Sequence, residues 1–494
     1  MVLLILATGV ITGASSMIIV ALPSIAHALQ ASLAQSNWVI DAFTLSLAIV
    51  ILAAGTLSDR IGLRRALLIS LALLVPITAI GALATNIWIL IGSRLAGGVV
   101  GALLYSAVLG HVVALWPGAA RTRAIAQWGM GLGIVAMINP PLAGWLEQVA
   151  GWRVVVAVTP ALAGLTWLAT WRWLPAPPPV PARRADVLGC LLAGAAVAAL
   201  LIGVNLFPQG FRLQAASLMA LGLGLGGLFV VHGRRHADAV IPLGLAGTSA
   251  MLVAAGVTFF SAGLLFAFNQ TMEHFAQDGL GYSALVGGLL FAVGGASSAV
   301  GSRLAGPLIA RLPMRWLLAG GMALTTLALG FGALAWRPGA SLAEVLAVVV
   351  MLALAFGLSN TAATHAMTAH TPAGQEGAAS ALTGLARYLG GSLGLAGLGA
   401  VLAGAYAASF NAADLALPAG LEHQLARSYA MATHWALAHP AQSEAVMAAA
   451  RDSIMAGARI ALWVSTAIAA AWTLCVWRLF PAAPENSSKP STRD

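Results

Sequence analysis

Fourteen runs of apolar residues, each about long enough to cross a bilayer, constrain this 494-residue chain more than anything else in it. They fall at roughly 2–22, 37–57, 66–84, 88–115, 124–146, 153–173, 187–206, 214–232, 247–269, 280–301, 316–336, 342–361, 378–405 and 457–479. A helix needs about 20 such residues to span a hydrocarbon core of about 30 Å. Inside lipid only a helix or a closed barrel satisfies its own backbone, and the runs lack the alternation of barrel strands. Charged residues make up 8% of the chain and apolar residues 60%. A soluble protein carries about 25% charged residues, so this one could not cover its surface. The sequence predicts an all-α polytopic membrane protein with 14 transmembrane helices. Met1 leads straight into the first run without a basic stretch, so that run reads as helix one and not as a cleaved signal.

The net charge of +9 would suggest nucleic acid in a soluble chain. Here 23 of the 24 basic residues are arginines scattered between apolar runs, the one lysine being Lys489, and no nucleic-acid partner is implied. Their placement reads as topology. With both termini cytoplasmic, sixteen basic residues fall on the inner side and six on the outer, while Arg94 and Arg387 lie within helices. That is the positive-inside bias of a cytoplasmic membrane protein.

Several chemistries drop out. A phosphate-binding loop needs Gly-Lys-Ser/Thr, and Lys489 sits in the polar tail. Cys190 and Cys475 are isolated in apolar runs, and no His-Glu-x-x-His occurs. His232 and His236 share helical spacing, but Arg234 and Arg235 lie between them, so a solvated helix end is expected there and not a metal site. No cofactor, metal or enzymatic nucleophile–base pair is indicated.

Four segments repay closer reading. Gly55 to Arg65, G-T-L-S-D-R-I-G-L-R-R, forms the loop after helix two, with Asp59, Arg60, Gly62, Arg64 and Arg65 able to turn tightly and bond nearby helix ends. Helix four carries Arg94 in R-L-A-G-G-V-V-G-A. Helix five carries N-P-P-L-A-G, with Asn139, Pro140, Pro141 and Gly144, followed by G-W-R at 151–153. Helix thirteen carries R-Y-L-G-G-S-L-G, with Arg387, Gly390, Gly391 and Gly394.

In order and spacing these segments resemble the signatures of the major facilitator superfamily, G-x-x-x-D-R-x-G-R-R-R, R-x-x-Q-G-x-G-A and G-P-x-x-G-G. The fourth is similar to the R-Q-x-G-G-x-x-G of its fourteen-helix drug:proton antiporters, the EmrB/QacA-like branch. Departures are Leu63 for a basic residue, Gly97 for Gln, and Asn139 and Ala143 for two glycines. The resemblance implies two six-helix bundles, 1–173 and 247–479, around a central cavity. A Pro-rich linker 174–186 precedes two additional helices within 187–246. A long outer loop at 406–456, able to hold short amphipathic helices, and a cytoplasmic tail at 480–494 complete the organisation. The loop 301–315 reads as a degenerate second copy of the loop after helix two.

Ionisable groups within spans are functional candidates by default. The family places an acid in helix one, within L-D-x-T-x-V-N-x-A-L-P. This chain keeps V-A-L-P at 20–23 but has Ala14, Ser16 and Ile19 at the Asp, Thr and Asn positions. Asp41, near the outer end of helix two, then becomes the candidate proton-coupling acid with Arg94 as its partner; the alternative is a solvated interfacial carboxylate. Arg387 binds an anionic group or carbonyls, or packs helices. Asn269, Gln270 and Asn360 are cavity residues or interhelical glue, with Glu273 near the outer mouth.

The resulting reading is an exporter of amphipathic or lipophilic molecules across a bacterial inner membrane in exchange for protons. It would function as a monomer, with room for a periplasmic adaptor protein. The missing helix-one acid keeps open a facilitator or differently coupled exporter; a receptor or scaffold on the same fold is the remaining class.

Overall fold

The computed structural model describes residues 1–29, 31, 33–117, 119–177, 186–206, 211–236, 249–282, 284–369, 376–410, 421, 425–426 and 429–481. Every regular element among them is helical. The N-terminal half contains α1 (Val2–Ala28), α2 (Leu33–Ile61), α3 (Leu63–Ala82), α4 (Ile87–Leu115), α5 (Ala119–Ala150) and α6 (Trp152–Trp173). Two further helices follow, α7 (Val187–Leu206) and α8 (Arg212–Arg235). The C-terminal half contains α9 (Ser249–Glu273), α10 (Ala284–Arg311), α11 (Met314–Ala335), α12 (Leu342–Ala369), α13 (Glu376–Ser409), α14 (Tyr429–Ala438) and α15 (Pro440–Leu479). Thirteen of these helices are long and apolar enough to cross a membrane. The remaining long one, α10, has 28 residues, about 42 Å at 1.5 Å per residue.

Turns fall where the residues dictate. Gly62 has φ 89° between α2 and α3, a left-handed conformation that side chains disfavour, and Gly151 has φ 80° between α5 and α6. Asn86 caps α4 by accepting a hydrogen bond from the Ile89 amide at 3.0 Å. The stretch expected as the outer loop, 406–456, lies partly outside the described residues. Its described part is helical, with α13 running to Ser409, α14 over 429–438 and α15 starting at Pro440. The alanine-rich stretch before residue 457 is too polar to read as a span, yet alanine is the strongest helix former, so α15 extends through it to 40 residues.

Each half has its own core. Leu4, Leu47, Leu67 and Leu104 are fully enclosed in the first, and Val257, Leu318, Val348 and Val446 in the second. Lipid supplies no hydrophobic drive between helices, so close packing does the joining, and small residues mark the crossings. A Cβ on Gly98 of α4 would overlap the Phe43 carbonyl of α2. One on Gly301 of α10 would overlap the Leu354 carbonyl of α12.

The halves repeat one another in detail. Arg64, at the start of α3, donates from Nε to the Leu174 carbonyl at 2.9 Å and from Nη2 to the Trp171 carbonyl at 2.8 Å. Both acceptors lie at the C-terminal end of α6, where orphan carbonyls and the helix dipole favour a cation. Arg315, at the start of α11, does the same for α15, bonding the Trp477 carbonyl and lying 4.4 Å above the Trp477 ring. The second loop has lost its acid and kept this arginine.

α7 and α8 pack as a hairpin, Gly222 of α8 fitting against Leu200 of α7. α7 meets both halves, Val197 and Leu201 lying in one cluster with Leu45 and Ala48 of α2 and packing against Leu389 of α13. The expectation of a solvated end at His232 is corrected. Its Nε2 meets Asp186 Oδ1 at 2.8 Å with the side chain 11% exposed, because the turn into α7 brings Asp186 against the end of α8.

The two halves meet along two antiparallel crossings. In one, Gly133 of α5 would place a Cβ 2.5 Å from the Ala299 amide of α10, and Gly295 of α10 would reach the Met137 amide of α5 at the same distance. In the other, Gly384 of α13 abuts Ile51 of α2 and Tyr105 of α4. At the end of the molecule bearing the loop between α2 and α3, Arg121 of α5 donates to the Thr368 carbonyl of α12 at 3.1 Å, joining one half to the other.

Candidate transport pathway and its buried charges

Arg94 is the eighth residue of α4 and only 6% exposed. Its Nε donates to the Val39 carbonyl of α2 at 2.9 Å and its Nη1 to the Ala14 carbonyl of α1 at 2.5 Å. The guanidinium also lies 4.5 Å from the Phe43 ring centroid. Nη2 has no partner among the described residues. A small cavity of about 20 Å³, room for a water molecule or so, adjoins it between Gly13, Ala14, Ser93 and Thr159. Arg94 therefore bonds helix one at the position that holds an acid in the fourteen-helix antiporters, using the main chain of Ala14. Asp41 stands on α2, two residues beyond Val39, and its side chain lies outside the described residues. Because α2 begins at Leu33, Asp41 is eight residues from its start, about 12 Å along the axis.

Helix five contributes polar contacts to helix one. Asn139 is buried and donates to the Ser16 hydroxyl at 3.3 Å, while Glu147 accepts a hydrogen bond from Ser24. Pro140 and Pro141 follow directly inside α5, where proline removes a backbone donor and loosens the helix. Gly144 leaves Val20 of α1 at van der Waals distance from a notional Cβ. The loop expected at 55–65 is helical except at Gly62, with Gly55, Asp59 and Arg60 in the last turns of α2 and Arg64 and Arg65 in the first turn of α3. Gly55 is buried, Asp59 and Arg64 are half-buried, and Arg60, Gly62 and Arg65 are exposed.

The second cation, the half-buried Arg387, lies between the two halves. Arg387 Nη2 donates to Asn360 Oδ1 of α12 at 2.7 Å. Its guanidinium lies 5.9 Å from the Trp128 ring of α5 and 5.8 Å from the Phe356 ring of α12. No carboxylate pairs with it among the described residues. Arg387 Nε and Asn360 Nδ2 are buried donors without acceptors. Trp128 is held by its indole N–H, which donates to Thr8 Oγ1 of α1 at 3.0 Å. Tyr105 of α4 packs edge-on against both Trp128 and Tyr388, with centroids 6.2 and 5.6 Å away.

The remaining candidates separate from this site. Gln270 turns its buried Oε1 toward Gly399 of α13, and neither it nor Asn269 lines the cavity that Asn360 and Arg387 share. Gly390, Gly391 and Gly394 sit against Phe259, Phe266 and Gly263 of α9, which makes them helix-packing residues within the C-terminal half. Beyond Glu273 the helix continues as a π-helical turn, His274–Gly279, with His274 Nδ1 2.7 Å from Asp278 Oδ2.

Residues 4–395 match the family described as Major Facilitator Superfamily. The chain belongs to the major facilitator superfamily. It is a multi-pass membrane protein of that superfamily's fold. The chain is 31% identical over 412 residues to the multidrug efflux pump LfrA of Mycolicibacterium smegmatis, covering 81% of this chain and 79% of that one. It is 30% identical over 478 residues to the multidrug resistance protein Stp of Mycobacterium tuberculosis, covering 94% of this chain and 88% of that one. Among solved structures, the human organic anion transporter MFSD10 superposes with a TM-score of 0.64 at 14% identity, over 96% of this chain and 98% of that one, a likeness of fold alone.

Within this superfamily fold, the structure brings four further side chains to the pathway, Trp128, Tyr105, Glu147 and Arg121. Trp128 and Tyr105 are apolar-run residues like any others until the halves close on them. Glu147 was visible as a lone acid between Asp59 and Asp186, and its position at the end of helix five was the signal. Arg121 counted only as a topology charge; its bond to Thr368 bridges 247 residues of sequence.

Proposed function

We propose that this chain is a secondary active exporter of amphipathic or lipophilic molecules, working by alternating access in a bacterial inner membrane and exchanging substrate for protons. It has fourteen spans and both termini in the cytoplasm, and functions as a monomer. The observation that carries the reading is the interface between the halves: two independent cores, crossed by α5 with α10 and α2 with α13, and pinned by the Arg121–Thr368 bond at one end. With that end cytoplasmic, the bond closes the inner side in a rocking cycle. The similarity to the multidrug efflux pump LfrA and the multidrug resistance protein Stp supports export of drug-like substrates.

Proton exchange is assigned to Asp41 with Arg94, Asp41 standing two residues along α2 from Val39, whose carbonyl Arg94 bonds. A second reading has its own support. Arg94 already bonds the Ala14 carbonyl where a coupling acid is missing, which favours facilitated or differently coupled export. Purified protein in liposomes under an imposed pH gradient decides between them. Gradient-driven uptake of a lipophilic substrate, lost in Asp41→Asn, supports antiport through Asp41. Uptake indifferent to the gradient in both proteins supports the second reading.

A further inference from the structure

We infer that the cleft around Arg387 and Asn360 recognises the polar group of the substrate, and that this group is a neutral or anionic hydrogen-bond acceptor on a flat aromatic body. The inference rests on the exporter reading above and names the substrate class of its central site. The charge balance of the cleft is the first argument. Its lining combines one guanidinium, one carboxamide and the hydroxyls of Ser298, Ser302, Thr361 and Thr364, and it contains no acidic residue. A cationic substrate would meet Arg387 across a few ångström of low-dielectric space, where like charges repel strongly. Sites that hold lipophilic cations need a carboxylate or an open aromatic cage, and here the arginine occupies the aromatic faces itself.

The donors are the second argument. Arginine only donates, so its bond to Asn360 uses the amide oxygen and leaves Nδ2 as a free donor. Asn360 is 4% exposed, and its Nδ2 and Arg387 Nε both lack acceptors. Leaving buried donors unmet is costly, and a sulfonate, carboxylate, quinone or amide oxygen would satisfy both. The cleft as it stands measures about 20 Å³, which suits a water molecule. Its walls come from α5 on one side and from α10, α12 and α13 on the other, so parting of the halves widens it. Trp128 and Phe356, on opposite halves, then line the widened cleft with apolar ring surface against an aromatic substrate.

Three probes of one size and different charge test this: naphthalene-2-sulfonate, naphthalene-2-sulfonamide and trimethyl(2-naphthyl)ammonium. Binding is measured by titration calorimetry on the full chain in zwitterionic nanodiscs, with empty discs subtracted. The sulfonate and sulfonamide bind the wild type more tightly than the ammonium compound. Arg387→Gln loses about ten- to a hundredfold of sulfonate affinity, a charged hydrogen bond's worth, and changes the sulfonamide less. Arg387→Lys keeps the preference for the anion, which separates charge recognition from a folding defect. Tighter binding of the ammonium compound, no binding of any probe, or an order unchanged in Arg387→Gln overturns the inference. The same probes are offered to proteoliposomes under a pH gradient. Correct binding order without gradient-driven movement would overturn proton-driven export while leaving the acceptor site standing.

Discussion

Arg94 shows how one ionised side chain is kept inside an apolar helix bundle. Placing an arginine at the centre of a span costs about 2.5–3.5 kcal/mol on insertion scales. Two charged hydrogen bonds, each worth about 1.5–3 kcal/mol, and a cation–π contact of about 0.5–2 kcal/mol are enough to offset it. The contacts depend on the planar fork, so Arg94→Lys keeps the charge but cannot bond Val39 and Ala14 together. Initial rates of uptake in liposomes should fall at least about tenfold in Arg94→Gln, and Arg94→Lys should recover only part of the loss. Ala14→Asp makes the converse test. It places a carboxylate beside a guanidinium that already bonds the residue's backbone, and gradient dependence of uptake should steepen. An unchanged pH profile would show that the helix-one position no longer communicates with Arg94. The candidacy of Arg94 was legible from its charge within an apolar run. Its partners were not, because Ala14 is 80 residues away and presents only a carbonyl.

At the scale of helices, the crossings depend on missing side chains, and the glycines differ sharply in what surrounds them. A Cβ at Gly390 would overlap the Phe259 carbonyl of α9, whereas one at Gly224 of α8 would meet nothing within 4 Å. Gly390→Ala should therefore force α9 and α13 apart and lower stability by about 1–3 kcal/mol, as overpacking does. Gly224→Ala should raise it by about 0.4–1 kcal/mol through helix propensity and a less flexible unfolded chain. Thermal unfolding in detergent, with both variants run beside wild type, reads the difference in sign. The helices themselves were legible because apolar runs of bilayer length have few other solutions. Their ends were not, since hydropathy reports lipid contact while helix formation follows backbone propensity. That is why α2 begins before residue 37 and α15 long before residue 457. The glycine motif of helix thirteen was legible as a pattern, and only the three-dimensional packing shows that it faces α9.

For the whole molecule, the repeat and the bridge between halves set the expected behaviour. Arg64 and Arg315 hold corresponding helix ends within their own halves, so removing either should loosen one half without parting the two. Arg121 acts between halves. Spin labels at Ala120 and Leu312, in a background lacking Cys190 and Cys475, should report a longer and broader distance in Arg121→Ala than in wild type. An unchanged distribution would show that the glycine crossings alone keep that end shut. Two bundles around a cavity followed from the order of motifs along the chain. The site between Trp128, Asn360 and Arg387 did not, because it assembles from segments whose only common property is where the fold puts them.

At 40 residues, α15 is about 60 Å long, roughly twice the thickness of the hydrocarbon core. Its C-terminal end is tied to α11 beside the membrane surface, so its first turns, from Pro440 onward, stand clear of the bilayer on the other side with α14 alongside. A bundle of membrane helices gives an electron microscope little to align. Packed on the core of the second half through Val446 and Ala450, this segment is a rigid handle for that purpose. An antibody fragment raised against its exposed face, at Glu444, Arg451 and Asp452, would project along a fixed axis and report the tilt of its half directly in particle images.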